Sequence, residues 1–226
     1  MNYPGKELEN FDKATFWRFY IYIHIKKFLK NRILEVGAGI GSFTKNYLHL
    51  SRDIFLTETD SQNFNILKKK FKNKTKILKK KTKFIKKKFN VIMYLNVLEH
   101  IKEDIKEIKI ALSKIKKNGY LIILVPAHNK LYSKFDKAIG HFRRYEMEFF
   151  KKHSFKNTKQ VKCIYLDSSG YFLYFLNKIF FKSETYPSKF KILIWDKIFT
   201  PLTFLIDKIL LYKFGKNILY VLKKTK

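Results

Sequence analysis

The sequence predicts an α/β chain built on a doubly wound, mainly parallel sheet, and three observations predict it. Residues 33–44 read ILEVGAGIGSFT, a short apolar strand that runs into alternate glycines and then into helix-like spacing. Val91–Leu95 and Tyr120–Val125 are continuous apolar runs, as expected of strands buried on both faces of a parallel sheet. Between these runs lie amphipathic stretches of helical length, and such alternation of strand and helix marks a parallel, doubly wound sheet.

Taken in order, residues 7–30 place Phe11, Phe16, Phe19, Tyr20, Ile23 and Phe28 at helical spacing, predicting a leading helix within 1–30. Trp17 on that helix is either packing or a ligand contact. Strand one is read at 32–36, a helix at 42–50, strand two at 53–57 and a helix at 61–72. The third strand is placed at Lys76–Leu78, inside a lysine tract. Behind the fourth strand, Ile101, Ile105, Ile108, Leu112 and Ile115 form a helical stripe, and Asn118-Gly119 predicts its end. Gln160–Leu166 is the sixth strand and Lys216–Leu222 the last. The connection between them, Tyr171–Lys213, carries twelve aromatics and reads as two helices broken near Pro187 and Pro201. It could be a lid over a substrate, a lipid-facing surface with aromatics beside snorkelling lysines, or a helical layer that extends the core.

At 226 residues the chain, 1–226, is expected to be one domain, and 46% hydrophobic content supports a folded core. A single cysteine, Cys163, excludes an internal disulfide framework and fits a reducing compartment. The N-terminus shows no charged-then-apolar signal pattern, and no run approaches the roughly 20 apolar residues of a spanning helix. A cytoplasmic location is expected, with peripheral contact at the inner membrane surface as an addition. The net charge of +31 invites a nucleic-acid reading, yet only five of the 49 basic residues are arginine. Lysines run through the whole chain; even the thirteen in Leu67–Phe89 read as a solvated face before a phosphate-binding stripe.

The glycine segment carries the chemistry. Gly37, Gly39 and Gly41 allow backbone turns that a side chain would obstruct, so a cofactor can approach bare peptide. Glu58 ends the second strand 19 residues beyond Gly39, the spacing at which a carboxylate reaches a ribose in doubly wound sheets. The pattern Glu35-x-Gly37-x-Gly39-x-Gly41 resembles motif I of class I S-adenosylmethionine (SAM) methyltransferases rather than the GxGxxG of nicotinamide enzymes. That resemblance implies SAM as cofactor, with Glu35 near its methionine end, the glycines along its path and Glu58 on both ribose hydroxyls. It also implies a Rossmann-like sheet of seven strands in the order 3-2-1-4-5-7-6, the last strand antiparallel, with the helical insert between strands six and seven.

Residues 89–101, FNVIMYLNVLEHI, resemble motif IV of the same superfamily, which implies that Asn96 contacts the methionine part of SAM. Asn90 replaces the usual Asp there, and 75–89 lacks the acid that often contacts adenine. Further on, VPAHNKLYSKFDKAIGHFRRYEMEFF resembles bacterial methyltransferases linked with glycosyltransferases and polyprenyl-sugar metabolism. His128 follows the fifth strand, on the edge where sheet ligands bind, and Asp136, His141, Arg143, Arg144 and Tyr145 cluster after it. Methyl transfer to oxygen usually needs a base, and His128 and His141 are the catalytic candidates, with His100 third. Arg143, Arg144 and Tyr145 are the substrate-binding candidates. In a lysine-rich chain, two adjacent arginines suggest that fork geometry matters, for a ligand or for tying Asp136 or Glu146 into a structural loop. No metal site is assigned.

The leading expectation is therefore a SAM-dependent methyltransferase acting on a small or lipid-linked acceptor, sugar-containing ones among them, with no specific nucleic-acid partner. An RNA methyltransferase is the alternative enzyme. Against base methylation, Asn96-Val97-Leu98-Glu99 lacks the proline and aromatic of the N-x-P-[YF] motif that holds an adenine amino group. A non-catalytic SAM-binding or membrane-associated scaffold is the third reading.

Overall fold

The structure is a computed structural model that describes residues 6–180 and 186–226. Two helices lead, α1 (Lys6–Phe11) and α2 (Thr15–Ile25), where the periodicity predicts one. The split has a visible cause: the Arg18 guanidinium bonds the carbonyls of Phe11 and Asp12 at the end of α1. The start of α2 is capped from far along the chain, since Asp196 accepts from the Phe16 and Trp17 N–H groups at 3.2 and 2.8 Å.

Seven strands are seen among the described residues: β1 (Ile33–Val36), β2 (Ile54–Thr57), β3 (Lys76–Leu78), β4 (Phe89–Leu95), β5 (Ile115–Pro126), β6 (Thr158–Leu166) and β7 (Asn217–Lys224). They form one sheet in the expected order, β3-β2-β1-β4-β5-β7-β6. β1 pairs in parallel with β2 and β4, while β7 runs antiparallel to both β5 and β6. Alternate residues feed two cores. Leu34, Ile92, Tyr94, Leu121 and Ile123 pack on one face, and Ile33, Val91, Met93, Ile122 and Leu124 on the other. Helices α3 (Ser61–Phe71) and α4 (Asp104–Ser113) cover the sheet, and α5 (Lys134–Ala138) and α6 (Met147–Lys152) follow β5.

Three further expectations change. Residues 42–50 form two short 3-10 turns, Thr44–Asn46 and Leu48–Leu50, rather than a helix. Tighter winding of this kind brings residues three apart into line, so Thr44 and Tyr47 both turn their hydroxyls onto buried Glu35. Secondly, Asn118-Gly119 is not a helix stop. α4 ends at Ser113, and Ile115 already pairs with Phe89; because Tyr120 pairs with Val91, residues 116–119 bulge out of the strand. A Cβ on Gly119 would lie 2.6 Å from the Asn90 carbonyl oxygen. Lastly, Pro201 does not break the insert. After α7 (Ser168–Phe180), α8 (Lys189–Ile194) passes through a π-helical turn, Trp195–Phe199, directly into α9 (Thr200–Ile209). Pro201 lies in the first turn of α9, where its missing N–H is tolerated, and the wide turn precedes it.

The insert is a helical layer knitted into the core. Asp207 accepts from Tyr20 Oη at 2.6 Å and from the Asp167 and Ser168 N–H groups at 2.8 and 3.0 Å, so it ties α2 to the start of α7. Among the described residues no helix is long and apolar enough to cross a membrane.

Candidate active site

A cavity of about 1460 Å³ opens at the carboxyl ends of β1, β2 and β4, roofed by α2 and the insert. That exceeds the several hundred Å³ of a usual single-ligand pocket and leaves room for two bound molecules.

One side of it is backbone. Gly37, Gly39 and Gly41 all have positive φ (65°, 56° and 79°), the conformation that favours glycine. Gly37 and Gly39 line the cavity, and a Cβ on Gly37 would lie 2.8 Å from Val97 Cγ2. Gly41 does not line it, contrary to its expected place along the cofactor. Its missing Cβ is what lets α3 close on the turn, since that atom would lie 2.2 Å from the Phe71 ring and 2.8 Å from Leu67. Glu58 stands at the expected spot. Its Oε2 accepts from Gly39 N–H at 2.9 Å, and Oε1 accepts from the Thr59 and Asp60 N–H groups at 2.6 and 2.8 Å. Burial raises its pKa even against these donors, which favour the ionised form. Glu35 also lines the cavity; burial pushes its pKa up to about 7, although Tyr47 and Thr44 donate to it. Asn96, with φ 55°, turns the chain just beyond β4 and completes this side. Trp17 lines the cavity too and packs on Trp195 at 5.5 Å between ring centroids.

The opposite wall is made of side chains. Asp136 is wholly buried and accepts from His141 Nδ1 at 2.8 Å, from Arg144 Nε and Nη2 at 2.9 and 3.1 Å, from Ser133, and from Tyr174 Oη at 3.0 Å. Burial alone would raise its pKa; the His141 hydrogen bond and the Arg144 charge outweigh that and hold it well below the carboxylate range. The Asp136 bond makes Nδ1 of His141 the protonated nitrogen and turns Nε2 towards Glu99, 3.7 Å from its Oε1. Glu99 is wholly buried and neither of its carboxylate oxygens accepts a hydrogen bond. Burial pushes its pKa up to about 7, with His141 pulling the other way. The His100 ring meets that of His141 edge-on at 4.6 Å, and burial draws its pKa down to about 4. Glu99, His100, Asp136, His141 and Arg144 all line the cavity.

The structure separates the other candidates from this wall. His128, at φ 64°, does not line the cavity. It stacks on Tyr165 at 5.0 Å, hydrogen-bonds the Gly215 carbonyl at 3.0 Å and lies 3.4 Å from Glu146. The run Arg143–Tyr145 is extended beside the end of β5, where Ala127 bridges Tyr145. Successive side chains of an extended run point to opposite sides. Arg144 therefore faces the cavity, while Arg143 and Tyr145 both bond Asp104 on the far side. Sequence reasoning missed Glu99 as a site residue, and Tyr174 and Trp195 as parts of the wall.

Fold and cavity together define a nucleotide-cofactor enzyme of the Rossmann-like class, with its ligand at the carboxyl edge of the sheet. A methyltransferase-domain family profile matches residues 16–162, and the chain belongs to that family. It is thus an enzyme that uses SAM to transfer methyl groups. Solved structures show the same fold at low identity. A SAM-dependent methyltransferase from Clostridium acetobutylicum superposes with TM-score 0.62 at 14% identity, covering 98% of both chains. The N-methyltransferase NodS from Bradyrhizobium japonicum, bound to S-adenosylhomocysteine, gives 0.58 at 11% identity, over 96% of this chain and 91% of that one. The plantazolicin methyltransferase BpumL, also bound to S-adenosylhomocysteine, gives 0.55 at 14% identity, over 96% and 84%. No curated protein matches the chain.

Proposed function

We propose that this enzyme methylates a hydroxyl of a small or lipid-linked acceptor, sugar-containing acceptors included. One observation carries the reading: a single cavity joins the glycine turn and Glu58 to the Glu99–His141 wall. SAM lies along Gly37 and Gly39, its ribose on Glu58 and its methionine end near Glu35 and Asn96. The acceptor lies against His141, which Asp136 orients. Transfer from a sulfonium is an in-line displacement, so alignment of the partners does most of the work and activation of the hydroxyl the rest. Arg144 is a positioning residue here, because Asp136 and the Ala127 carbonyl engage its fork.

The lipid-linked reading rests on the insert. Phe172, Phe175, Leu176, Leu202, Leu205 and Ile209 are 43–69% exposed on α7 and α9. Leu176 also lines the cavity, so apolar surface continues into the site. Such a face suits peripheral contact with a membrane, helped by the excess of lysine over acid. The test is transfer of labelled methyl from SAM into vesicles carrying polyprenyl-phosphate-linked sugars, set against RNA. Label in the lipid fraction is expected, and RNA-selective labelling would overturn the reading. His141→Ala should lower turnover by about 10²–10⁴-fold with SAM affinity unchanged. His128→Ala should instead lower thermal stability.

A further inference from the structure

Among the described residues, Glu99 is the carboxylate that has both oxygens buried without a hydrogen bond. It is 0% exposed, and neither oxygen accepts a hydrogen bond. A buried carboxylate that accepts no hydrogen bond is costly and calls for an explanation. Two imidazoles stand beside it: one ligand atom from each of Glu99, His100 and His141 fits within 4.8 Å of the others. Two donors on one tetrahedral ion, each ~2.1 Å from it, lie ~3.4 Å apart. The Glu99 Oε1 to His141 Nε2 distance is 3.7 Å.

The outer contacts point the same way. His141 uses Nδ1 on Asp136, and Arg144, Ser133 and Tyr174 hold Asp136 in turn. The Gly140 backbone hydrogen-bonds the His100 ring. An imidazole fixed through one nitrogen by a carboxylate or backbone, with the other aimed at a shared point, is how proteins orient metal-binding histidines. All three residues line the cavity, so further coordination positions would face the acceptor.

We propose that Glu99, His100 and His141 hold a divalent first-row transition ion on the acceptor wall, and that this ion binds the acceptor hydroxyl. Two imidazoles and one carboxylate suit Zn²⁺, Mn²⁺ or Fe²⁺ better than the oxygen-seeking Mg²⁺ or Ca²⁺. The inference rests on the hydroxyl-methylation reading and supplies its activation step. Bound to the ion, the hydroxyl loses its proton to water. Its oxygen then forms the new C–O bond to the SAM methyl as the C–S bond breaks. The C–S electron pair stays on sulfur, giving neutral S-adenosylhomocysteine. An ion of this kind can bring the pKa of bound water from 15.7 to about 7, and a hydroxyl responds in the same direction.

The experiment uses the full chain, stripped with a chelator, dialysed, and titrated with Zn²⁺ and with Co²⁺, whose visible absorption reports imidazole ligation. One equivalent should bind. Glu99→Gln, close in shape, and His100→Ala should each weaken binding at least 10-fold. SAM binding, followed separately by calorimetry, should be the same with and without the chelator. A chain that binds SAM but no ion, or a Glu99→Gln variant that holds the ion as tightly as the parent, overturns the metal site and leaves the methyltransferase reading intact. Ion uptake by a chain that methylates no hydroxyl would keep the site and overturn its role in transfer.

Discussion

The two walls of the cavity are built on different principles. The cofactor wall is backbone: a glycine turn, the end of β2 and one carboxylate that bonds three N–H groups within a short stretch. The wall proposed for the acceptor is a web of side chains from separate segments, in which Asp136 alone collects His141, Arg144, Ser133 and Tyr174. Backbone recognition suits a ligand that never changes, whereas side-chain webs can be rewritten for a new acceptor without disturbing the sheet. Each wall therefore has its own way to fail.

The largest effect should come from the acceptor wall. Asp136→Ala leaves a buried guanidinium without its carboxylate, and removal of one member of such a pair costs about 3–5 kcal/mol. Urea unfolding should show that loss, with turnover falling alongside. A loss under 1 kcal/mol would mean that the web carries little of the fold. Behind the opposite wall, where α3 packs on the glycine turn, Gly41→Ala forces a side chain into positive φ and into the Phe71 ring. Strain of about 1–2 kcal/mol and overpacking of about 1–3 kcal/mol should add, with thermal unfolding as the measure. Glu58→Ala should weaken SAM binding by about 1.5–3 kcal/mol, read by calorimetry, while leaving the acceptor web in place. Unchanged affinity would remove Glu58 from the cofactor site.

The smallest effect is a pH dependence. Burial pushes the Glu35 pKa up to about 7, and the SAM ammonium proposed beside it would favour the ionised form. Binding below pH 7 must then expel a proton, so affinity should fall as pH drops, by at most about tenfold per unit. Calorimetry at pH 6 in buffers of different ionisation enthalpy would detect the release. No proton release would place the SAM cation away from Glu35.

The two walls also differ in how far the sequence reveals them. Gly37, Gly39 and Glu58 lie at separations set by a strand, a turn and the next strand, so spacing and the motif resemblance together single them out, and the structure brings them to one cavity. The strand order follows from the resemblance carried by the same motif. Gly41 looks identical in sequence to the other two, yet it serves α3, because only the third dimension shows which neighbour a missing Cβ admits. On the acceptor side, His128 follows the fifth strand directly and His141 comes fifteen residues after it, yet it is His141 that lines the cavity, because the loop folds back through Asp136. Arg143 and Arg144 are likewise sorted only by the alternation of an extended run. Glu99 is written inside a recognisable motif, but its isolation emerges only when burial and hydrogen bonds are known.

The placement of β7 bears on how the chain comes off the ribosome. The seventh strand in sequence order, Asn217–Lys224, lies between β5 and β6, and Asp196 caps a helix that begins at Thr15. Until residues 217–224 are made, β5 and β6 lack the strand that joins them, and until Asp196 is made α2 starts without its cap. Domains generally fold as units during synthesis, and unpaired strand edges invite aggregation. A ligand cavity roofed by α2 and the insert thus rests on pairings that form only once residues 217–224 have been made, and a chain cut between residues 200 and 216 is left with unpaired strand edges rather than being a merely weakened enzyme.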